Sequence, residues 1–593
     1  MVTGNFNTFD GKSLFYRTWK SATEDNGKVL ILLHRGHEHS ERLQQIAENE
    51  AFKGYTIYSF DNRGHGYSEV QAAYEFMDLV RDLNAFVAFV CDKEDKQEKD
   101  LFIVANSVAG IVASTWVHDY APNISGVALV APAFKIKLYV PFAKQGLKLA
   151  LKVKPKLNIT SYVKSKFLTH DKAEQFKYDN DPRITPNIPA SQLTSLLDTG
   201  ERIVSDAAMI VTPMLVISAG KDYVVDSQVQ GDFYANLSSP LKRFVVLDDF
   251  YHGVLYEENA QQAIDEIKRF MEEVFALRID NYSKKLMAVA QQECDKIRYG
   301  SLPLFSQLNF YVQRTSMKYV GVISRGMEIG LQYGFDSGVT LDHVYKNQAK
   351  GISPIGKWVD RGYLNSIGWK GIRQRKVNAM EAITQKITLL QATGKQVRIL
   401  DIAGGPARYL IEIARRYPDV TIQVRDYQLQ NVEQGQRLAQ DLDNISYSRC
   451  DAFDAESYVD NDFKPNIVII SGVFELFPDN DLITHAIKGV TSVIEDQGYL
   501  IYTGQPWHPQ LQQIANVLGN HQNSQWIMRR RSQYELDHLF SEYGFSKEGM
   551  LIDNWGIFTV SSALFTGKTS NENVVEVNPN EPASSNAEGL SVA

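Results

Sequence analysis

Twice along this chain, short apolar runs of strand length alternate with amphipathic stretches, and the two series are separated by more than a hundred residues. The first comprises VLILL at Val29–Leu33, then runs at Thr56–Phe60, Leu101–Val104, Val127–Val130, MLVIS at Met214–Ser218 and FVVL at Phe244–Leu247. The second begins at Val397 (VRIL), continues through Thr421–Val424, Ile467–Ile470 and Tyr499–Tyr502, and closes near Phe558. Runs that are apolar throughout suit strands buried on both faces, the condition of a parallel sheet covered by helices. The chain is therefore expected to hold two α/β domains, and its 593 residues are enough for two or three at roughly 100–200 each.

The boundaries follow from where the rhythm stops. Residues 1–275 form the first domain, with an interruption at about 134–210 that lacks strand rhythm and predicts an inserted helical cap. Residues 276–375 mix helical periodicity with Gly and aromatic positions, as in GKWVDRGYLNSIGWKGIRQRK, too rich in Trp, Tyr and Ile for a flexible linker. They are expected to be helices leading into a second domain at 376–567. The tail, 568–593, combines Asn, Glu, Pro and Ser with few large apolar groups and is expected to be disordered.

Composition narrows the function classes. Only Cys91, Cys294 and Cys450 are present, without a CxxC pair, which suggests neither a disulfide framework nor a thiolate zinc site and fits a reducing, cytoplasmic location. No apolar stretch approaches the roughly 20 residues of a membrane span, and the polar N-terminus has no signal-peptide character. A net charge of −8 argues against broad nucleic-acid binding. The oligomeric state is left open.

In the first series, LFIV runs into Ala105, Asn106, Ser107, Val108, Ala109 and Gly110, then a helical stretch. A nucleophile elbow needs tiny residues around its serine, because the sharp strand-to-helix turn presses them against neighbouring backbone. Ala105 and Ala109 meet that need less fully than the glycines of GxSxG, and a serine here is also an ordinary helix cap. The wider pattern adds weight: Asp222 follows MLVIS, and His252 follows FVVL, giving strand-end residues in the order Ser, Asp, His. Asp222 could otherwise shape a turn, and His252 could be an ordinary loop histidine.

HRGHEHS at His34–Ser40, FDNRGHGYSE from Phe60 and LTHDKAEQFKYDNDP ending at Pro182 make the front half resemble the monoacylglycerol lipase and lysophospholipase branch of the α/β hydrolases. The resemblance implies a serine esterase with Ser107 as nucleophile, His252 as base, Asp222 as orienting acid, and Gly36 and Val108 as oxyanion-hole donors. The sequence departs from the branch at Arg35, where a glycine is usual in HGxGEHS, and at the elbow. Arg35 would either crowd the oxyanion loop or offer a cation to an anionic head group. His34, His37 and His39 invite a metal reading, but the loop of the branch accounts for two of them and no metal is assigned.

In the cap, Lys135, Lys137, Lys144, Lys148, Lys152, Lys154 and Lys156 alternate with Leu147, Leu149, Leu151 and Val153. A basic amphipathic surface in an acidic protein suits peripheral contact with anionic lipid, and a lipid or lysolipid ester is the expected substrate. A solvated cap face with its apolar residues turned inward is the alternative.

In the second series, VRIL leads into Asp401, Ile402, Ala403, Gly404, Gly405, Pro406, Ala407 and Arg408, and the chain then turns helical. A glycine turn between strand and helix lets backbone approach a ligand and aims unpaired N–H groups at it. Asp426 closes the next strand, where an acid would accept bonds from ribose hydroxyls, as in a dinucleotide fold too. Asp451 follows a third strand and SGVFELF a fourth. From Asp401, Ala403, Gly404, Gly405, Asp426 and Asp451, residues 376–567 resemble class I S-adenosylmethionine-dependent methyltransferases, with Ala403 and Ala407 in place of two glycines of E/DxGxGxG. The resemblance implies a Rossmann-like fold, S-adenosylmethionine as cofactor, and closure over it by Asp360, Arg361 and Tyr363. Glu475, Trp507 and His508 are candidate substrate contacts, and Arg529–Arg531 is expected to be a solvated charge run.

The expected architecture is thus an α/β-hydrolase domain with a helical cap followed by a Rossmann-like class I methyltransferase domain. The expected activity is hydrolysis of lipid esters joined to methylation of an acceptor the sequence does not name. The alternatives are a silent hydrolase serving as a lipid-docking module and, for the rear half, a dinucleotide-dependent enzyme.

Overall fold

A computed structural model describes residues 1–21, 23–68, 74–277, 284–458, 463–522 and 524–567. The tail expected to be disordered lies outside them. Two separate sheets carry the two strand series. The front sheet has eight strands in the spatial order Val2–Asn7, Ser13–Trp19, Thr56–Phe60, Val29–Leu33, Leu101–Asn106, Gly126–Val130, Met214–Ala219 and Lys242–Leu247. From Thr56–Phe60 onward the pairing is parallel, and most of these strands are buried along their whole length. The first two strands are an antiparallel hairpin that the apolar-run reading passed over. Its signal is Asp10-Gly11 between alternating stretches, and Gly11 has φ +73°.

The insertion between Gly126–Val130 and Met214–Ala219 is not helical throughout. Beside the helices Ala143–Val153, Lys172–Asn180 and Ala190–Ser205 it holds a small antiparallel pair, Asn158–Thr160 with Asn187–Pro189. These strands have three residues each, too few for a periodic signature.

The rear sheet has seven strands in the order Ile445–Arg449, Thr421–Asp426, Arg398–Ile402, Ile467–Ile470, Tyr499–Gly504, Thr559–Phe565 and Phe545–Ile552. The first five are parallel, and the last two form an antiparallel pair along Tyr499–Gly504. The order reverses beside Arg398–Ile402, so the turn after that strand opens a crevice at a topological switch point. Helices from Lys284–Tyr299 to Ile367–Ala392 precede this sheet.

The halves are packed together rather than strung on a linker. Leu286 and Ala290 of the helix Lys284–Tyr299 bury against Met209 and Val211. Ile552 of the rear sheet sits in the front core, Arg81 donates to the Ile552 carbonyl at 2.9 Å, and Lys547 donates to the Tyr120 carbonyl at 2.6 Å. Tyr120 ends the helix Val108–Tyr120, which is buried almost all round, with apolar residues on every side and its polar Ser114, Thr115, His118 and Asp119 buried among them. That helix begins at Ser107 and is about 20 Å long at 1.5 Å per residue, so one rigid rod joins the elbow to the rear domain.

Arg529, Arg530 and Arg531 correct the solvated reading, because all three are buried. Arg529 pairs with Glu535 at 2.7 Å. Arg531 donates to the carbonyls of Phe474 at 2.6 Å and Phe477 at 2.8 Å, and burial together with the neighbouring Arg529 lowers its guanidinium to about 9. Arg530 reaches across to the cap and grips Asp206 with two bonds of 2.6 and 2.7 Å, while also pairing with Glu293. Three like charges in a row read as a solvated face only while their partners, distant in sequence, are unknown.

Candidate active sites

The front site is built by three strand ends. Ser107 sits at φ +56°, ψ −112° between the strand Leu101–Asn106 and the helix Val108–Tyr120, a strained conformation that lifts its hydroxyl out of the sheet edge. The close approach the elbow makes falls on Gly110, where a Cβ would lie 2.7 Å from Pro132. Ala105 and Ala109 are buried without difficulty, so the missing glycines are tolerated. Ser107 Oγ lies 2.8 Å from His252 Nε2, and His252 Nδ1 lies 2.8 Å from Asp222 Oδ2. The other carboxylate oxygen of Asp222 accepts the amides of Val224 (2.7 Å) and Val225 (2.8 Å). Burial alone would raise the Asp222 carboxyl, but the charge and hydrogen bond of His252 outweigh it and hold it below the usual range. All three side chains are buried.

Gly36 lies directly beside Val108, since a Cβ on Gly36 would come within 3.0 Å of the Val108 side chain. As first residue of its helix, Val108 has an amide without an intrahelical acceptor. Arg35 neither crowds this loop nor faces outward. It is buried, bonded to Glu38 at 3.0 and 2.5 Å, laid over the Tyr256 ring, and packed against Gly253 beside the candidate base. A further departure went unread in the sequence: His37 adopts φ +70° where HGxGEHS has its second glycine, and its Nδ1 lies 2.7 Å from the Thr185 carbonyl of the cap. The other two histidines of the loop are also engaged, His34 with the Arg35 carbonyl and the Asn62 amide, and His39 with Asp181 at 2.8 Å.

Of the seven cap lysines, four are held internally. Lys135 pairs with Asp226, Lys144 with Asp198 and Glu201, and Lys148 with Asp198, while Lys137 donates to the Asp222 carbonyl at 2.6 Å. Lys152, Lys154 and Lys156 are exposed, and so are Phe142, Leu149 and Val153. The cap holds an apolar cavity of about 590 Å³, lined by Leu138, Val140 and Phe167 among others and closed by Tyr223, the residue after Asp222.

The rear site begins at the turn after Arg398–Ile402. Ala403 (φ +57°), Gly405 (φ +60°) and Ala407 (φ +46°) all take left-handed backbone, so two alanines carry strain that glycine would not. Gly404 must be glycine, because a Cβ there would lie 2.3 Å from Asp401 Oδ2. A Cβ on Gly405 would meet nothing within 4 Å, so the turn leaves an open cradle at that point. Asp426 Oδ2 accepts the Gly405 amide at 2.9 Å, and Oδ1 accepts from Gln428 and Asn431. Three bonds leave one of roughly four lone-pair sites for a ligand. Asp451 is half-buried and accepts the Phe453 amide. Burial raises the Asp401 carboxyl to about 8 despite a 2.6 Å bond from Tyr409.

Gly338 lies close over Pro406, and Asp342 pairs with Arg408, so the helix Gly338–Lys346 covers the glycine turn. Asp360, expected to close over a cofactor, does not: it is fully buried and ties Ser324, Gly326, Lys350 and His343 together. Arg361 and Tyr363 line a cavity of about 840 Å³ beyond the strands Ile467–Ile470 and Tyr499–Gly504. That cavity also takes in Gly472, Glu475, Gln505 and His508, and its wall is largely apolar. Glu475 pairs with Arg375 at 3.0 Å. Burial lowers His508 to about 4, and its Nδ1 accepts the Gln510 amide at 3.1 Å, so the neutral ring presents Nε2 as a donor. Trp507 is not part of the cavity wall; its ring lies under Arg202 of the cap.

Residues 267–564 match the family model described as "Putative methyltransferase", and residues 24–259 match "Serine aminopeptidase, S33". The uncharacterized protein YnbC of Escherichia coli (strain K12) is 41% identical over 570 residues, covering 94% of this chain and 97% of its own length. Phospholipase YtpA of Bacillus subtilis (strain 168) is 22% identical over 264 residues, covering 43% of this chain and 98% of that one. The crystal structure of a monoacylglycerol lipase from Paleococcus ferrophilus aligns with a TM-score of 0.39 at 20% identity, covering 44% of this chain and 98% of that chain. The chain belongs to this methyltransferase family, in a fusion with a monoglyceride lipase-like S33 hydrolase domain.

Proposed function

We propose that the protein is a bifunctional enzyme, a serine hydrolase of lipid esters joined to an S-adenosylmethionine-dependent methyltransferase. The hydrolase reading is carried by the assembled relay from Ser107 through His252 to Asp222 at 2.8 Å per step. In this reading, Ser107 Oγ attacks the ester carbonyl while His252 Nε2 takes its proton, and Asp222 fixes the tautomer and stabilises the imidazolium. The amides of Gly36 and Val108 receive the oxyanion, aided by the positive end of the helix Val108–Tyr120. Collapse of the tetrahedral adduct expels the alcohol, protonated by His252, and water repeats the sequence on the acyl-enzyme. The cavity beside Tyr223 supports an acyl chain as the group bound. Exposed Phe142, Leu149, Val153 and Lys152–Lys156 support peripheral membrane contact by the cap, in a cytoplasmic protein with three free thiols.

A fluorophosphonate probe tests this reading: it should label the protein and fail to label Ser107→Ala. Folded wild-type protein that takes no label would instead make the front half a silent lipid-docking module.

For the rear half, the open cradle at Gly405 fits a cofactor, with the Gly404–Gly405 backbone, Asp426 and Asp451 as its holders. S-adenosylmethionine, when bound, supplies an electrophilic methyl group on a sulfonium. The chain's own contribution is alignment and exclusion of water, by the covering helix Gly338–Lys346 and the apolar cavity wall. Arg375–Glu475 and the Nε2–H of His508 would orient the acceptor. S-adenosylhomocysteine at a hundred times its dissociation constant should stabilise the domain by about 2.7 kcal/mol. A shift with NAD and none with the sulfur ligand would overturn the assignment.

A further inference from the structure

No residue of the helix Leu304–Val320 is buried. One face, through Gln313, Ser316, Met317 and Val320, lines the rear cavity. The rest presents large apolar groups outward: Leu304 is 83% exposed and Phe305 81%, with Leu308, Tyr311 and Tyr319 also exposed. Trp358 lines the same cavity yet is 74% exposed, and Ile352 and Ile355 beside it are exposed as well. Single exposed apolar side chains are ordinary, but here they cluster on two segments that also contribute Val312, Val320 and Trp358 to the wall of an apolar cavity.

Charge points to the occupant. No aspartate or glutamate lies between Tyr299 and Glu328, and residues 300–376 hold eleven Lys and Arg against four Asp and Glu in a chain of net charge −8. Arg314 and Lys318 are exposed on the helix, and Lys357 and Arg361 flank Trp358. Aromatic and aliphatic groups rimmed by cations fit the interface of an anionic bilayer, where Trp and Tyr sit at headgroup level and Lys and Arg meet lipid phosphates. Among the described residues no helix is long and apolar enough to cross a membrane, so the contact would be made from one side.

We propose that the helix Leu304–Val320 and the Ile352–Trp358 segment dock on an anionic lipid surface, and that the rear cavity takes an amphiphilic lipid from it. The lipid's role as methyl acceptor rests on the methyltransferase reading; the docking does not. The wall suits such a ligand, being mostly apolar and holding the Arg375–Glu475 pair and His508 to meet a polar head.

Co-sedimentation of the full chain with phosphatidylcholine vesicles, with and without phosphatidylglycerol, tests the proposal. Wild type should sediment with the phosphatidylglycerol vesicles and be released by salt. The Leu308→Ser/Trp358→Ser variant, altered only at exposed positions, should bind them at least about tenfold more weakly while melting like wild type. A Phe142→Ser/Val153→Ser variant isolates the cap's own contribution. Absence of wild-type binding overturns the proposal, as does binding that survives Leu308→Ser/Trp358→Ser and is lost with the cap variant. So does a wild-type dimer in light scattering that the Leu308→Ser/Trp358→Ser variant lacks, since the face would then be a contact between copies. Vesicle binding in a protein that S-adenosylhomocysteine does not stabilise would support the docking and sink the methyltransferase reading alone.

Discussion

Replacing Arg530 by methionine removes the guanidinium and keeps an apolar stem of similar reach. In the native protein this side chain makes two bonds to Asp206 (2.6 and 2.7 Å), one to the Pro506 carbonyl (3.1 Å), and an ion pair with Glu293. Asp206 is 6% exposed, and its remaining partner is His118 Nε2 at 2.8 Å. Glu293 is partly exposed and can return to water, so the damage concentrates on the stranded carboxylate. Removing one member of a buried pair costs about 3–5 kcal/mol, and the retained His118 bond places Arg530→Met near the lower end. Because the pair joins cap to rear domain, that energy favours an undocked state, whose population should rise about a hundredfold at 1.4 kcal/mol per tenfold. Limited proteolysis of the full chain reads this population directly when reclosing is fast, and urea unfolding of the two halves should separate further than in wild type. The Asp206→Asn/Arg530→Met double variant should lose less than the sum of the single changes, by about 2 kcal/mol. A rise in cleavage of less than about threefold, or strict additivity, would refute the view that this pair holds the halves together.

His118 lies between two carboxylates, Nδ1 at 2.6 Å from Asp119 and Nε2 at 2.8 Å from Asp206, a geometry that needs both ring protons. Burial would lower its pKa, but the two acids outweigh burial and raise it above 6.5. The stabilisation is therefore complete below about 6.5 and is lost as pH rises through the folded value; melting curves should show the loss, and His118→Gln should flatten it. Asp222→Asn should lower ester turnover by about 10⁴-fold with little change in melting temperature, through the wrong imidazole tautomer; unchanged turnover would remove Asp222 from the relay. Ala403→Gly should relieve about 1–2 kcal/mol of left-handed strain against about 0.4–1 kcal/mol for glycine's added freedom in the unfolded chain, so calorimetry should show higher melting, whereas Ala407→Gly also gives up a buried core methyl and should gain little or nothing. Gly404→Ala, which sets a methyl group against Asp401, should lower melting and weaken S-adenosylhomocysteine binding together.

The sequence alone determined the two sheets and their strand-end chemistry. A doubly covered parallel strand must be apolar along its length, and Val29–Leu33, Leu101–Ala105 and Ile467–Ile470 are. Ser107, Asp222 and His252 were legible because each follows such a run, and Asp401, Gly405 and Asp426 for the same reason. Arg35, His37, Asp360 and Arg530 were not, because a charged or polar residue reads as exposed until its partner is known. Those partners lie at Glu38 and Tyr256, at Thr185, at four separate backbone and side-chain donors, and at Asp206. The front hairpin, Phe545–Ile552 and the cap pair also escaped notice, being broken by polar residues or very short and so lacking an unbroken apolar run. Local hydrophobicity fixes which segments enter a core; only the folded chain decides which charges meet there, since desolvation is offset by partners that can come from any distance along the sequence.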